Sequence, residues 1–166
     1  MTTTAALPIV LPVLPINAIG WTSALATDAS EWAGWPQLVQ AVQKAWMTLP
    51  PAQRADAVIF TANYGEAGAI NELGRADGLP TAVSGHNTEW WWGLGNPRAT
   101  TVVAVAPGGA PGYRAFLSRF FTSVRPVATL SNPAGIHNEE WGGHIYLCTG
   151  PRSTWAQLWP QMRHYG

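Results

Sequence analysis

The stretch Ala57-Val-Ile-Phe-Thr-Ala-Asn-Tyr-Gly-Glu66 decides the fold. Ala57 to Thr61 is a short apolar run, which predicts a buried strand. Asn63-Tyr-Gly-Glu66 ends that strand. A weaker helix is expected from about Glu66 to Arg75, softened by Gly68 and Gly74. Upstream, Trp35, Leu38, Val39, Val42, Trp46 and Leu49 recur on one helical face. Pro36 suits the first turn of that helix, and Pro50-Pro51 stop it.

The alternation then repeats downstream. Pro80 to Ser84 reads as a second strand, followed by Gly85-His-Asn87. Thr100 to Ala106 is the clearest strand, and Pro107 to Gly112 is a turn. Tyr113, Phe116, Leu117, Phe120 and Val124 predict a periodic helix. Pro126 to Leu130 reads as a fourth strand and His144 to Cys148 as a fifth. Ser153 is placed to cap a final helix, with Trp155, Leu158, Trp159 and Met162 inward and Pro160 disturbing its last turn.

Short apolar strands alternating with helices imply a covered sheet. The expectation is an α/β domain of three layers and Rossmann-like character. It would hold a mostly parallel sheet of about five strands, helices on both faces, and a last strand that is free to run antiparallel. Residues 31–166 would form this single domain, and 1–30 an extended N-terminal arm. The arm contains Leu7-Pro-Ile-Val-Leu-Pro-Val-Leu-Pro15, too short and too rich in proline to span a bilayer. It lacks the basic start of a signal peptide. It reads as a place where a larger protein continues into a membrane helix, the remainder being soluble as an isolated fragment.

Composition narrows the function. Of the 166 residues only 11% are charged, against about 25% in a typical domain. Nine basic residues balance nine acidic ones without a basic run, which argues against a nucleic-acid partner. The single cysteine, Cys148, lies in an apolar run and reads as a buried small hydrophobe. Ten tryptophans in so uncharged a chain point to contact with an apolar or sugar-bearing surface.

Polar residues gather where strands end, the usual ligand edge of an open α/β sheet. Asn63, Tyr64 and Glu66 follow the first strand; Ser84, His86 and Asn87 follow the second and run into Trp90-Trp91-Trp92. Asn132 and then His137-Asn138-Glu139-Glu140 follow the fourth. The candidate ligand-binding set is Asn63, Tyr64, Glu66, Ser84, His86, Asn87, Trp90, Asn138 and Glu139, on the condition that these clusters converge. Tyr64-Gly-Glu-Ala-Gly68 has the wrong glycine spacing for a dinucleotide, and Glu66 would repel phosphate. No metal-ligand spacing is recognisable, so neither metal nor cofactor is expected. A small hydrolase would need Ser84 or His86 to meet Glu66 or Glu139.

Three consecutive indoles cannot all enter one core, so at least one should lie at a surface or cleft. There it could stack on the C–H face of a pyranose, sit at a membrane interface, or plug the end of the sheet.

Several motifs resemble the C-terminal region of actinobacterial family 39 membrane glycosyltransferases, the dolichyl-phosphate-mannose-protein mannosyltransferase-like or ArnT-like proteins. They are Thr61 to Ala69, Gly78-Leu-Pro80, Ser84-Gly-His-Asn87, Trp90-Trp-Trp-Gly93, Asn138-Glu-Glu140, Ile145 to Pro151 and Trp155 to His164. The resemblance covers nearly the whole chain, with Leu7 to Pro15 resembling the exit from a last membrane helix. It implies a soluble domain on the extracytoplasmic face of the cell membrane, part of a multi-pass protein. The parent would move a sugar from a polyprenyl-phosphate carrier to an acceptor. The family's catalytic acid lies in the membrane part, so no catalytic residue is carried over here. The partners implied are the transmembrane portion of the same polypeptide and a glycan, a polyprenyl-phosphate sugar or an acceptor protein. Three roles stay open: a non-catalytic binding domain, a structural domain docked on the membrane core, and a small independent hydrolase.

Overall fold

A computed structural model describes residues 34–132 and 135–165. The arm expected at 1–30 lies outside the described residues. Helix α1 spans Trp35–Met47, and Leu38, Val39, Val42, Ala45 and Trp46 are buried along it. Gly34 precedes it at φ 99°, a left-handed turn that an L side chain rarely adopts. Pro50-Pro51 stop α1, as the sequence predicts. Pro51 then opens a second short helix, α2 (Pro51–Ala55), because a first helical residue needs no N–H partner.

Strand β1 (Ala57–Thr61) is buried at every position. Helix α3 (Tyr64–Leu73) follows, then a 3₁₀ turn at Arg75–Asp77. Strand β2 is only Val83–Ser84, shorter than the expected run from Pro80. A 3₁₀ helix takes Asn87–Trp92, and β3 is Thr101–Ala106, fully buried. Helix α4 covers Tyr113–Ser118 and stops there. The expected extension of this helix through Phe120 to Val124 does not form, because β4 (Phe121–Thr129) begins at Phe121. Its β-branched residues favour a pleated surface, and Pro126 is tolerable on an edge strand but not inside a helix. Strand β5 is His144–Pro151, followed by α5 (Trp155–Leu158) and a 3₁₀ turn at Trp159–Met162. The cap of α5 is Thr154 rather than the expected Ser153, in a reciprocal pair with Gln157.

The five strands form one open sheet in the order β2-β1-β3-β5-β4. The β2–β1 and β1–β3 junctions are parallel. The β3–β5 and β5–β4 junctions are antiparallel and are the longest. The pairing is therefore mixed rather than mostly parallel, and the reversed member is β5, the last strand, which the sequence leaves free to run antiparallel. The β3–α4–β4 crossover leaves a slot one strand wide, and β5 enters it in the opposite direction. Successive β1 residues alternate between two cores. Val58 and Phe60 pack with α4, α5 and the last 3₁₀ turn; Ala57 and Ile59 pack with α1 and α3. Among the described residues, no helix is long and apolar enough to cross a membrane.

Candidate functional site

Strand direction places the ends of β1, β2, β3 and β4 and the start of β5 along one edge of the sheet. The chain leaves β1 toward β2 on one side, and β3 flanks β1 on the other. That reversal is a switch point, where open α/β sheets leave a crevice. A cavity of about 400 Å³ occupies it, with mostly apolar walls. Phe60, Tyr113, Phe116 and Met162 supply the apolar part. Asn63, His86, Glu139, Arg163 and His164 supply the polar groups. Each of the three polar clusters in the sequence thus contributes one lining residue, Asn63, His86 or Glu139, to the same cavity.

Asn63 is fixed by the start of α3. Its side-chain oxygen accepts the Glu66 N–H at 2.8 Å, and its own N–H donates to Glu66 Oε2 at 3.1 Å. Glu66 is wholly buried behind it. Burial pushes the Glu66 carboxyl up to about 8, against the lowering effect of the Asn63 N–H, with Glu140 adding to the rise. Glu66 Oε1 and the enclosed Tyr113 hydroxyl find no hydrogen-bond partner among the described residues. Burial raises the Tyr113 phenol well above its usual value, and the Glu66 charge raises it further.

His86 is held by rings on two sides of the sequence. It stacks on Tyr64 at 5.1 Å and on His164 at 5.0 Å, the latter within 4° of parallel. Burial lowers its pKa, and His164 lowers it further, while Glu139 opposes both. Asn87 Nδ2 lies 2.9 Å from His86 Nε2, so a neutral His86 can accept there. The tail reaches the site by a short parallel bridge between His86 and His164. His164 N donates to the Gly85 carbonyl at 3.0 Å, and Asn87 N to the His164 carbonyl at 2.9 Å. His164 Nε2 lies 2.8 Å from the Ala62 carbonyl and Nδ1 3.0 Å from that of Met162. In a neutral ring only one of those two contacts is a hydrogen bond.

The other candidates stand off the cavity wall. Ser84 is buried, donates to the Thr61 carbonyl at 3.1 Å and accepts the His86 N–H at 3.2 Å. Its hydroxyl fastens β2 to β1 and, among the described residues, bonds only these two backbone groups. Tyr64 is exposed and covers one side of His86. Trp90 stacks on Trp159 within 5° of parallel and donates to its carbonyl at 3.3 Å. Asn138 lies beside Glu140 and Trp141 in a separate small void. Trp91 and Trp92 are 68% and 83% exposed. Cys148 is buried between the sheet and α5, which pushes its thiol up to about 12.

Sequence reasoning missed Tyr113, Phe116, Arg163 and His164. Tyr113 and Phe116 read as ordinary core positions of a helix. Arg163 and His164 follow Pro160, and no local pattern ties a chain end to the end of β2. Among the described residues, no three His, Cys, Asp or Glu side chains gather in a metal-holding group. A larger groove, about 620 Å³, runs between α1 and β4. Its polar members, such as Gln37, Gln40, Lys44 and Arg125, are solvated side chains of an exposed helix face and an edge strand. The smaller cavity has mostly apolar walls with a few converging polar residues, the arrangement that orients a ligand.

Comparison of the chain with protein-family models, with curated proteins and with solved structures finds no match.

Proposed function

We propose that this chain is a non-catalytic binding domain, and that its cleft at the β1–β3 switch point takes a carbohydrate. The observation that carries the reading is the convergence of Asn63, His86 and Glu139 on one open cavity from three separate loops. A hexose offers a C–H face to rings such as Tyr113 and Phe116, and hydroxyls to amide, imidazole and carboxylate groups. The resemblance to family 39 glycosyltransferases supplies the wider setting. In that setting the domain belongs to a polyprenyl-phosphate-sugar-dependent membrane enzyme and sits on the extracytoplasmic face. Its neighbours are the transmembrane portion of the polypeptide and a glycan, a lipid-linked sugar or an acceptor protein. The parallel β2-β1-β3 half, with apolar clusters on both faces, supports the finer reading of a Rossmann-like three-layer domain.

The test is an NMR titration of the chain with a panel of methyl glycosides and oligosaccharides. Shifts should concentrate on Asn63, His86, Glu139 and His164. A panel that moves none of them overturns the reading. The exposure of Trp91 and Trp92 favours a second role, docking on the membrane part of the enzyme. Binding of the chain to detergent micelles, lost in the Trp91→Ala/Trp92→Ala double variant, would favour that role.

A further inference from the structure

The way Asn63 is fixed decides what it offers a ligand. Its backbone N–H donates to Glu66 Oε2, its carbonyl accepts from the Thr61 hydroxyl at 2.8 Å, and its Oδ1 accepts the Glu66 N–H. Nδ2 is the one polar atom of this wall residue left over; it is not enclosed and has no partner among the described residues. Turned over, the amide would set a donor against the Glu66 N–H. Asn63 therefore presents the cavity with a donor.

Glu139 presents an acceptor. Its backbone carbonyl accepts the Gly108 N–H at 2.8 Å, while its carboxylate bonds nothing among the described residues. Beside the burial that dominates both groups, the Glu139 charge raises Glu66 and His86 alike, so the carboxylate lies on the cleft side of its loop. No cation covers it. The Arg163 guanidinium is held over Trp90 and Trp91, 4.8 Å from each ring centre, and over Tyr165 at 5.2 Å, and these three rings do not line the cavity.

The rest of the wall is mainly apolar, from Phe60, Tyr113, Phe116 and Met162. A plain hexose carries a hydroxyl on nearly every carbon, and such a wall would strand several of them. A secondary acetamide instead has one acceptor, one donor and one methyl. We infer that the cleft selects an N-acetylhexosamine: its amide carbonyl accepts from Asn63 Nδ2, its amide N–H donates to the Glu139 carboxylate, and its methyl lies against Phe60, Phe116 and Met162. The inference rests on the carbohydrate reading above and names the class of sugar. An uncovered Glu139 carboxylate would repel an acidic sugar, and a free amino sugar lacks both the carbonyl and the methyl.

The test uses the full chain and the methyl glycosides of N-acetylglucosamine, N-acetylgalactosamine, glucosamine, glucose and galactose. Affinities are measured by NMR titration. At least one of the two acetamido sugars should bind about tenfold or more tightly than its parent hexose, as expected for a charge-assisted bond, a second hydrogen bond and a buried methyl. Its acetyl methyl should show NOE contacts to Phe116 and Met162. Asn63→Asp keeps an acceptor for the Glu66 N–H and so keeps the helix cap, but has no amide donor. In that variant the preference for the acetamido sugar over its parent hexose should largely vanish. If the hexoses bind as well as the acetamido sugars, the assignment falls and the carbohydrate reading stands. A preference for glucosamine overturns the assignment in favour of a cation at Glu139. A preference that survives Asn63→Asp also overturns it. If none of the five binds, and the wider glycoside panel is silent, both fall together. The probe comparison is made on the unaltered protein, so it decides the matter even if the variant folds poorly.

Discussion

His86 and His164 lie face to face, ring centres 5.0 Å apart and planes within 4°, joining the end of β2 to the chain's tail. This contact closes one wall of the cleft. It brings Gly85 so near the tail that a Cβ there would collide with the Met162 carbonyl. Gly85→Ala should therefore displace the tail, since main chain cannot swing aside as a side chain can. We expect a loss of about 1–3 kcal/mol in urea denaturation, together with loss of the ring-current shifts that His86 and His164 impose on each other. A variant that keeps both stability and shifts would contradict the docked tail.

The same ring pair sets a pH dependence. Burial and His164 lower the His86 pKa from 6.5. As pH falls through the unfolded value, the unfolded chain takes up this proton before the folded chain does. Stability is then complete above about pH 6.5 and declines below it until the folded group also titrates. NMR titration should place His86 below the usual histidine value. In His164→Gln, with the neighbouring charge gone, the His86 midpoint should move upward.

Glu66 works in the opposite sense. Its carboxyl is raised from 4.5 to about 8, so the folded chain keeps a proton that the unfolded chain releases. Stability from this group is whole below 4.5 and is lost as pH rises toward about 8. Glu66→Gln keeps the neutral shape and the capping pair with Asn63. It should gain on the wild type by a few kcal/mol between about pH 5 and about pH 8.5, at about 1.4 kcal/mol per pKa unit. Urea midpoints of the two proteins that run parallel across that range would show that Glu66 is ionised when folded.

Two tryptophans should respond in opposite ways. Trp155 is buried, meets Phe60 edge-on at 5.8 Å and donates to the Leu94 carbonyl at 2.7 Å. Trp155→Ala should cost about 3–5 kcal/mol through the cavity it opens and the carbonyl it strands. Trp92 is 83% exposed and absent from the cleft wall. Trp92→Ala should change stability by no more than about 0.5 kcal/mol and leave sugar affinity unaltered. Thermal denaturation and one titration check both.

Apolar periodicity in the sequence makes most of the scaffold readable. Ala57–Thr61 and Thr101–Ala106 are apolar without interruption, which suits strands covered on both faces. Trp35–Met47 shows one apolar stripe and is a helix with one buried face. The apolar spacing from Phe120 to Val124 fits a helix and a strand alike, and the segment is a strand from Phe121. Sheet pairing beside β5 decides it, and that neighbour is distant in sequence. Asn63, His86 and Glu139 were legible as strand-end polar residues. Arg163 and His164 were not, because their partners come from the loop after β2.

The sequence by itself determined most of the strands and helices, where polar groups collect, and that the indole run cannot be wholly buried. Those properties depend on near neighbours along the chain, through hydrogen-bond geometry and the period of apolar residues. The tertiary structure alone decided the strand order, the reversed insertion of β5, and the docking of the tail against β2. It alone stacked His86 on His164 and set Arg163 among three rings. Such pairings depend on which surfaces bury each other best across long chain separations, and no local spacing encodes that choice.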